Sequence, residues 1–230
     1  SDSYTATKEK GKETLDEDYS EVSCIVCGTS SVDFEDLNGV PDRKCPQCGS
    51  VERTRAVLNW LSSNVDISDL RMFAVAPSGS ATRFISELGP ERLDRCDIRP
   101  LKGFEIQADI SEMPEVESDS YDFAMAIKVL EHCANDRGAI SEIRRILKPG
   151  GRLIVNGDIR GGIATKEVKE PTSYYGKEAF EEYKIGTFRR YGLEDLIEFL
   201  SEFFEVKTYE VEDLPTSYKG YLLECLKAID

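Results

Sequence analysis

The stretch EIRRILKPGGRLIV, residues Glu142–Val155, changes its hydrophobic pattern halfway along and thereby indicates the fold. Its first half repeats apolar residues at helical spacing, whereas its end is a short apolar run typical of a buried strand. Between the two halves, Pro149 cannot continue a helix, and Gly150 and Gly151 permit the chain to reverse. The sequence therefore predicts a helix, a tight turn and then a strand.

The same alternation of strands and helices continues on both sides of this stretch. The predicted strands are RMFAVAP, RLDRCDI, YDFAMAIKVL and GRLIVNGD, and the predicted helices among them are ATRFISEL and DRGAISEIRRIL. An amphipathic helix, LEDLIEFLSEFF, and two further strands, EVKTYEV and YLLECLKA, follow. Alternation of this kind is typical of a parallel sheet with crossover helices. We therefore predict an α/β domain over residues 51–230, whose first helix, over residues 51–66, links it to the preceding segment.

The composition limits the classes of function. The 230 residues suffice for one domain plus a small appendage, and the formal net charge is −15. This charge disfavours broad binding to nucleic acid or to anionic membranes, because both reward a positive surface. No apolar run approaches the length of a membrane span and no signal peptide opens the sequence, so we expect a cytoplasmic protein.

Four of the seven cysteines lie in two Cys-x-x-Cys pairs, each followed by a glycine, with seventeen residues between Cys27 and Cys45. The two motifs supply Cys24, Cys27, Cys45 and Cys48. This spacing is typical of a four-thiolate zinc site, although iron uses the same ligands, and disulfides are the alternative without a metal. We predict a structural zinc-ribbon-like module over residues 21–50, after a disordered or loosely packed lead-in over residues 1–20.

The loops after the predicted strands are candidates for ligand binding, because parallel sheets bind ligands at the carboxyl ends of their strands. The first loop, Ala76–Thr82, contains one glycine, Gly79, and lacks the G-x-G-x-x-G pattern of a nicotinamide site. Asp97 ends the second strand, where a carboxylate can bind the ribose hydroxyls of a nucleoside. By themselves these residues are equally typical of a turn and a surface carboxylate.

Two motifs further along resemble those of class I S-adenosylmethionine-dependent methyltransferases. Leu130–His132 reads LEH at the end of one strand, and Leu147–Gly151 reads LKPGG before the next. The resemblance implies a Rossmann-like, mostly parallel sheet of seven strands with an antiparallel edge, and S-adenosylmethionine bound across the strand ends. The cysteine-rich side resembles a narrower subgroup with the motif CPxCGSxxRxR, which here spans Cys45–Arg55 and has Thr54 where histidine is frequent.

The resemblance also implies which residues contact the cofactor. The loop around Gly79 would face the methionine part, together with two residues that follow the strand before LEH. The end of the second strand would face the ribose, and the residues after a further short strand would face the adenine edge. The implied contacts are Val75, Ala76, Pro77, Ser78, Gly79, Asp97, Ile98, Asp109, Ile110, Ile127 and Lys128.

Residues 160–192 interleave aromatic and charged residues after the last parallel strand. In the family that the sequence resembles, insertions at this place usually grip the substrate. The candidate substrate-binding residues are therefore Tyr174, Tyr175, Arg189 and Arg190. The alternative is a surface helix whose aromatic side chains anchor it to the core.

His132 is the only histidine in the chain, and the resemblance places it beside the transferred methyl group. A neutral imidazole can take a proton from an attacking hydroxyl near neutral pH, so His132 is the candidate catalytic residue. The alternative is a structural histidine that caps the loop or packs under the next helix.

The predicted function is methyl transfer from S-adenosylmethionine to a small-molecule, sugar or peptide acceptor. One alternative is a non-catalytic protein that binds through its zinc ribbon on a methyltransferase-like scaffold. An RNA methyltransferase is a second alternative, which fits the architecture but not the charge, because docking on RNA requires a basic face.

Overall fold

The computed structural model describes residues 23–30, 33–173 and 175–229, and the predicted lead-in and Tyr174 lie outside these residues. The first elements are strands β1 (Glu35–Leu37) and β2 (Val40–Lys44) and helix α1 (Glu52–Asn64). The next are β3 (Arg71–Val75), α2 (Gly79–Glu87), β4 (Arg92–Asp97), β5 (Ile106–Gln107), β6 (Tyr121–Ile127), a 3₁₀ turn (Leu130–His132) and α3 (Asp136–Ile146). The last are β7 (Leu147–Asn156), β8 (Lys166–Glu167), α4 (Lys177–Tyr183), β9 (Arg189–Arg190), α5 (Leu193–Ser201), β10 (Glu205–Asp213), a second 3₁₀ turn (Leu214–Thr216) and β11 (Tyr218–Leu226).

The central sheet has seven strands in the order β10-β11-β7-β6-β3-β4-β5. The strands from β7 to β5 are parallel, whereas β11 lies antiparallel between β7 and β10. This order confirms the predicted mostly parallel, Rossmann-like sheet with an antiparallel edge. Val75 at the end of β3 pairs with Cys96 of β4 and with Ala126 of β6, so these three strands end side by side.

Helices cover both faces of the sheet, as a parallel sheet requires. On one face, α3 and α5 bury Ile140, Ile143 and Leu200 in the larger apolar cluster. On the other face, α1, α2 and the cysteine-rich segment form a second cluster, in which Leu58 and Leu61 of α1 are fully buried. The predicted linking helix is therefore also part of the core. None of the described helices has the length and apolar character needed to cross a membrane.

The KPGG motif forms an irregularity inside β7 rather than the predicted turn before it. β7 starts at Leu147, directly after α3, and its register against β6 shifts over the motif. Gly150 has a φ of +77°, and its N–H donates to the carbonyl of Lys227 at 3.0 Å. A Cβ on Gly151 would stand 2.8 Å from the carbonyl oxygen of Lys148. Both glycines are thus required by a local detour of the strand, which the antiparallel edge stabilises.

The segment from 160 to 192 leaves the sheet after β7 and returns to the ends of the parallel strands. Its strands β8 and β9 pair in antiparallel fashion, and α4 lies between them without a buried residue. The N–H of Phe188 donates to the carbonyl of Glu131 at 2.8 Å, which fixes the segment to the first 3₁₀ turn. Tyr191 is buried against the core, so an aromatic anchor is present.

Candidate metal centre and cofactor cleft

The four clustered cysteines converge in space. Their sulfur atoms all lie within 4.8 Å of one another. The Sγ atoms of Cys24 and Cys48 are 3.8 Å apart, as are those of Cys27 and Cys45. A tetrahedral ion with metal–sulfur bonds of about 2.3 Å places its sulfur ligands about 3.8 Å apart. The sulfur positions therefore fit one tetrahedral metal ion, and none of the cysteines in the described residues forms a disulfide.

Each Cys-x-x-Cys turn is closed by a glycine in the left-handed region. Gly28 and Gly49 have φ values of +69° and +73°, and their N–H groups donate to the carbonyls of Cys24 and Cys45 at 2.7 and 2.8 Å. A Cβ on Gly28 would meet no atom within 4 Å. The glycine is therefore required by its backbone angle and not by lack of space.

The thiols differ in how readily they lose a proton. Burial acts to raise the pKa of Cys27, but hydrogen bonds with the side chain and backbone of Thr29 outweigh it and bring the pKa down to about 7. Burial raises the pKa of Cys45 to about 12. Since metal ligands bind as thiolates, a metal ion must displace the Cys45 proton, and its binding is favoured as the pH rises.

Arg55 joins the cysteine-rich module to the antiparallel edge of the sheet. Its guanidinium is fully buried and donates to both carboxylate oxygens of Asp213, at 2.9 and 2.7 Å. It also donates to the carbonyls of Ser50 and Arg43, and it lies 4.3 Å from the centre of the Phe34 ring. The CPxCGSxxRxR motif singled out Arg55 in the sequence. Nothing in the sequence indicated that its partner would be Asp213, 158 residues further on.

The hairpin of β1 and β2 was not among the elements predicted from the sequence, although the sequence contains a signal for it. Asn38 and Gly39 connect the two strands with φ values of +54° and +75°, as a tight hairpin turn of the I′ type requires. An Asn-Gly pair is the strongest local signal for such a turn. The hairpin matters for the site because Leu37 and Asn38 line a cavity at the strand ends.

A first cavity of about 170 Å³ lies where β3, β4 and β6 end. It brings together seven of the predicted cofactor contacts, Val75, Ala76, Asp97, Ile98, Asp109, Ile110 and Lys128. Pro77, Ser78 and Ile127 line a neighbouring cavity instead, and Gly79 is the first residue of α2 and lines neither. The tertiary structure thus groups these residues at one place, while their contact with a cofactor stays a prediction.

The neighbouring cavity is larger, about 650 Å³, and lies between the strand ends and the β1–β2 hairpin. The two cavities share a border formed by Val75, Ala76, Lys128, His132, Tyr175 and Ile185. Ligand sites of small molecules typically measure about 300–1,000 Å³. The second cavity lies within this range, the first lies below it, and the shared border makes them two parts of one cleft.

Two residues on this shared border have strained backbones. Ala76 and Lys128 directly follow β3 and β6, and their φ values are +45° and +58°. Their N–H groups donate to the carbonyls of Cys96 and Asn156, both at 2.8 Å, so the neighbouring strands hold them in place. Non-glycine residues in this region cost free energy and cluster at functional sites.

Asp97 is buried in the first cavity, and both of its carboxylate oxygens already have a partner. Arg99 donates to them from Nε and Nη2 at 2.9 and 2.8 Å. The guanidinium of Arg99 in turn lies 4.1 Å from the centre of the Tyr175 ring. The sequence did not predict this arrangement, and a ribose at this place must share Asp97 with Arg99 or displace it.

Comparison with known proteins identifies the unit around this cleft. Residues 56–155 match the family model described as a methyltransferase domain. The cysteine-rich module precedes this matched region and packs against α1, in which the match begins.

Two curated relatives match parts of this chain. The sterol 4-C-methyltransferase strm-1 of Caenorhabditis elegans is 31% identical over 139 residues, which cover 58% of this chain and 38% of that protein. An uncharacterised 37.1 kDa protein in transposon TN4556 of Streptomyces fradiae is 36% identical over 83 residues, covering 36% of this chain and 24% of that protein. The chain thus spans well under half the length of either relative.

Solved structures share the fold at low sequence identity. The 1,6-didemethyltoxoflavin-N1-methyltransferase of Burkholderia thailandensis has a TM-score of 0.54 and 14% identity, covering 76% of this chain and 78% of its own. The [4+2]-cyclase SpnF has a TM-score of 0.58 and 14% identity, and the match covers 86% of this chain and 87% of the cyclase chain. A third neighbour is a chain of the complex between the Haloferax volcanii Trm112 methyltransferase activator and a methyltransferase. Its TM-score is 0.55 at 17% identity, and the match covers 76% of this chain and 90% of that chain. These likenesses concern the fold alone, since one of the neighbours is a cyclase.

His132 borders both cavities of the cleft. Its Nδ1 lies 3.1 Å from the carbonyl oxygen of Gly186. Because a carbonyl only accepts, Nδ1 carries the proton, and the neutral ring keeps a lone pair on Nε2. The geometry therefore allows His132 both to hold the segment around Gly186 and to accept a proton.

The variant His132→Asn separates these two roles, because the asparagine amide can still donate to Gly186 but is not a base. If His132 is the base, turnover should fall about a hundredfold or more in His132→Asn, with cofactor affinity unchanged. His132→Ala, which lacks the donor as well, should lose both turnover and stability. The measurement is turnover per folded molecule across pH. Wild-type turnover in His132→Asn would leave only the structural role.

Arg189 and Arg190, predicted to bind substrate, do not appear among the described residues that line the two cavities. Arg189 donates to the carbonyl of Cys133 at 2.9 Å and to Glu167 at 2.8 Å. These contacts hold β9 against the loop after β6, and a role of Arg189 and Arg190 in substrate binding stays a prediction. Tyr175 does border both cavities, and its role in substrate binding stays a prediction.

Proposed function

We propose that this chain transfers a methyl group from S-adenosylmethionine to a small-molecule, sugar or peptide acceptor. The observation that carries the proposal is the two-part cleft at the strand ends of a methyltransferase domain. The first cavity has the predicted cofactor contacts, and the second offers room for an acceptor next to it. The curated relative that acts on a sterol supports a small acceptor but does not identify it.

The residues that line the first cavity fit the cofactor if Arg99 yields. Bound S-adenosylmethionine would supply a methyl group that its sulfonium makes strongly electrophilic. The buried carboxylate of Asp97 would accept from the ribose hydroxyls once it shares its oxygens with Arg99 or releases them from it, and Ala76 lines the same cavity. Asp109 and Ile110 border the same cavity where the adenine edge is expected.

The chain's own contribution to such a reaction is alignment and exclusion of water. The segment that carries Tyr183, Lys184 and Ile185 lines the first cavity together with the strand ends. Holding donor and acceptor in one orientation supplies most of the acceleration that this chemistry needs. His132 can take the proton of a hydroxyl acceptor through Nε2, whereas an unprotonated amine needs no base.

The four cysteines are proposed to hold a structural zinc ion, with iron as the alternative. All four tetrahedral positions have a protein sulfur, so no position is left for substrate or water. The module is therefore proposed to support the fold and not the chemistry. Its folding free energy would come in large part from the metal, because its own apolar core is small.

A non-catalytic binding function is the second candidate, and one observation favours it. Arg99 engages both oxygens of Asp97, the same oxygens that the ribose would use. If Arg99 does not yield, the first cavity cannot take the cofactor in the predicted way. Measuring cofactor affinity separates the two candidates.

Asp97→Ala should weaken the binding of S-adenosylmethionine by about tenfold to a hundredfold. The reason is the net loss of one charge-assisted hydrogen bond to the ribose, worth about 1.5–3 kcal/mol. Isothermal calorimetry on the metal-loaded protein measures the affinity. Asp69→Ala is the matched control, since Asp69 is an exposed aspartate that precedes β3 at the opposite end of the strand.

Two outcomes would contradict the proposal at different points. Unchanged affinity in Asp97→Ala would move the cofactor site away from the end of β4. Absence of measurable cofactor binding in the wild-type chain would favour the non-catalytic function.

A further inference from the structure

One wall of the second cavity contains neither the four cysteines nor any of the predicted cofactor contacts. It consists of Leu37 and Asn38 of the hairpin, Arg43 of β2, and Val51 and Arg53 at the start of α1. None of these residues borders the first cavity. The wall can therefore contact only the molecule that occupies the second cavity.

Three cationic side chains line this cavity, Arg43, Arg53 and Lys128, in a chain whose formal net charge is −15. Nζ of Lys128 lies 2.7 Å from Glu131 and 3.3 Å from Asp158, so the charge of Lys128 is fully balanced. The two arginines share a single carboxylate, Glu52, so this wall keeps one positive charge that is not balanced by its direct partner.

The two guanidiniums have one buried carboxylate between them. Arg43 donates to Oε1 of Glu52, and Nη2 of Arg53 lies 3.5 Å from the same oxygen. Nε of Arg53 is buried and has no hydrogen-bond partner in the described part of the chain, and the second oxygen of Glu52 is not bonded to it. A buried N–H without an acceptor is costly, so Nε of Arg53 is the donor in this wall that lacks a partner.

We propose that the acceptor carries an anionic oxygen group, a carboxylate or a phosphate, which Arg53 binds with Arg43 beside it. A planar guanidinium suits either group, because its N–H donors match two oxygens at once. The inference rests on the proposed function, since it assigns the acceptor to the second cavity. It also gives the cysteine-rich module a part in acceptor recognition, because the module supplies Arg43 and the hairpin wall.

The experiment titrates the metal-loaded full chain with inorganic phosphate and with succinate, at constant ionic strength with chloride as reference. The reporter is the ¹⁵N resonance of Nε of Arg53, assigned by its absence from Arg53→Lys. Calorimetry then compares anion affinity in wild type, Arg53→Lys and Arg83→Lys. Arg83 is the control because it is an exposed arginine on α2 that lines neither cavity.

The expected result is a saturable shift of the Arg53 resonance and anion affinity at least tenfold weaker in Arg53→Lys, with Arg83→Lys unchanged. A response to phosphate alone assigns a phosphorylated acceptor, and a response to succinate alone assigns a carboxylate. No response to either anion, or equal affinity in Arg53→Lys, overturns the inference. Calorimetry with S-adenosylmethionine on the same samples tests the proposed function separately, because Arg53 does not border the first cavity.

Discussion

Replacing Cys45 by serine should abolish metal binding and unfold the segment around the four cysteines. Cys45 is fully buried, and its sulfur is one corner of the tetrahedron. Structural zinc contributes about 10–16 kcal/mol to small zinc modules near pH 7, so loss of one ligand removes much of what folds this segment. Elemental analysis should find about one metal ion per wild-type chain and close to none in Cys45→Ser.

Hydrogen exchange provides the second measurement, since the amides between 23 and 50 should lose protection in Cys45→Ser while those of the sheet keep theirs. Cys96→Ala is the matched control, because Cys96 is equally buried but lies in β4, away from the cluster. Acidification should release the metal from the wild-type chain, because the thiolates then bind protons. Metal-free wild-type protein with a fully protected cysteine-rich segment would contradict the prediction.

Arg55→Met should lower the free energy of unfolding by about 3–5 kcal/mol. The substitution leaves the buried carboxylate of Asp213 without its bidentate partner, and breaking a buried pair from one side is costly in this range. It also removes the donors to the carbonyls of Ser50 and Arg43, which connect the module to the sheet. Urea unfolding monitored by circular dichroism measures the loss.

Two further variants make this prediction specific. Arg137→Met removes an exposed pair with Glu202 and should cost about 0–1 kcal/mol. The double variant Arg55→Met/Asp213→Leu should recover part of the stability, because it removes the unpaired charge as well. If Arg55→Met is as stable as Arg137→Met, the buried pair does not hold the module to the sheet.

Local patterns predicted most of the strands and helices of the sheet and the clustering of the four cysteines. The two Cys-x-x-Cys-Gly turns converge because each turn is complete within a few residues, closed by Gly28 and Gly49 in the left-handed region. The strand and helix pattern around Pro149 predicted the order of elements in the same way, although KPGG lies inside β7. Alternation of strands and helices then predicted a parallel sheet whose strand ends carry Asp97 and Lys128.

Contacts between distant parts of the chain were decided only by the tertiary structure. Arg55 meets Asp213 because the sheet order places β10 near α1, and His132 meets Gly186 because the segment from 160 to 192 folds back over the strand ends. The wall that carries Arg53 exists only where the hairpin packs beside the strand ends. Spacing along the sequence reports on neighbours within a turn or a strand, whereas these contacts depend on how the whole sheet and the module pack together.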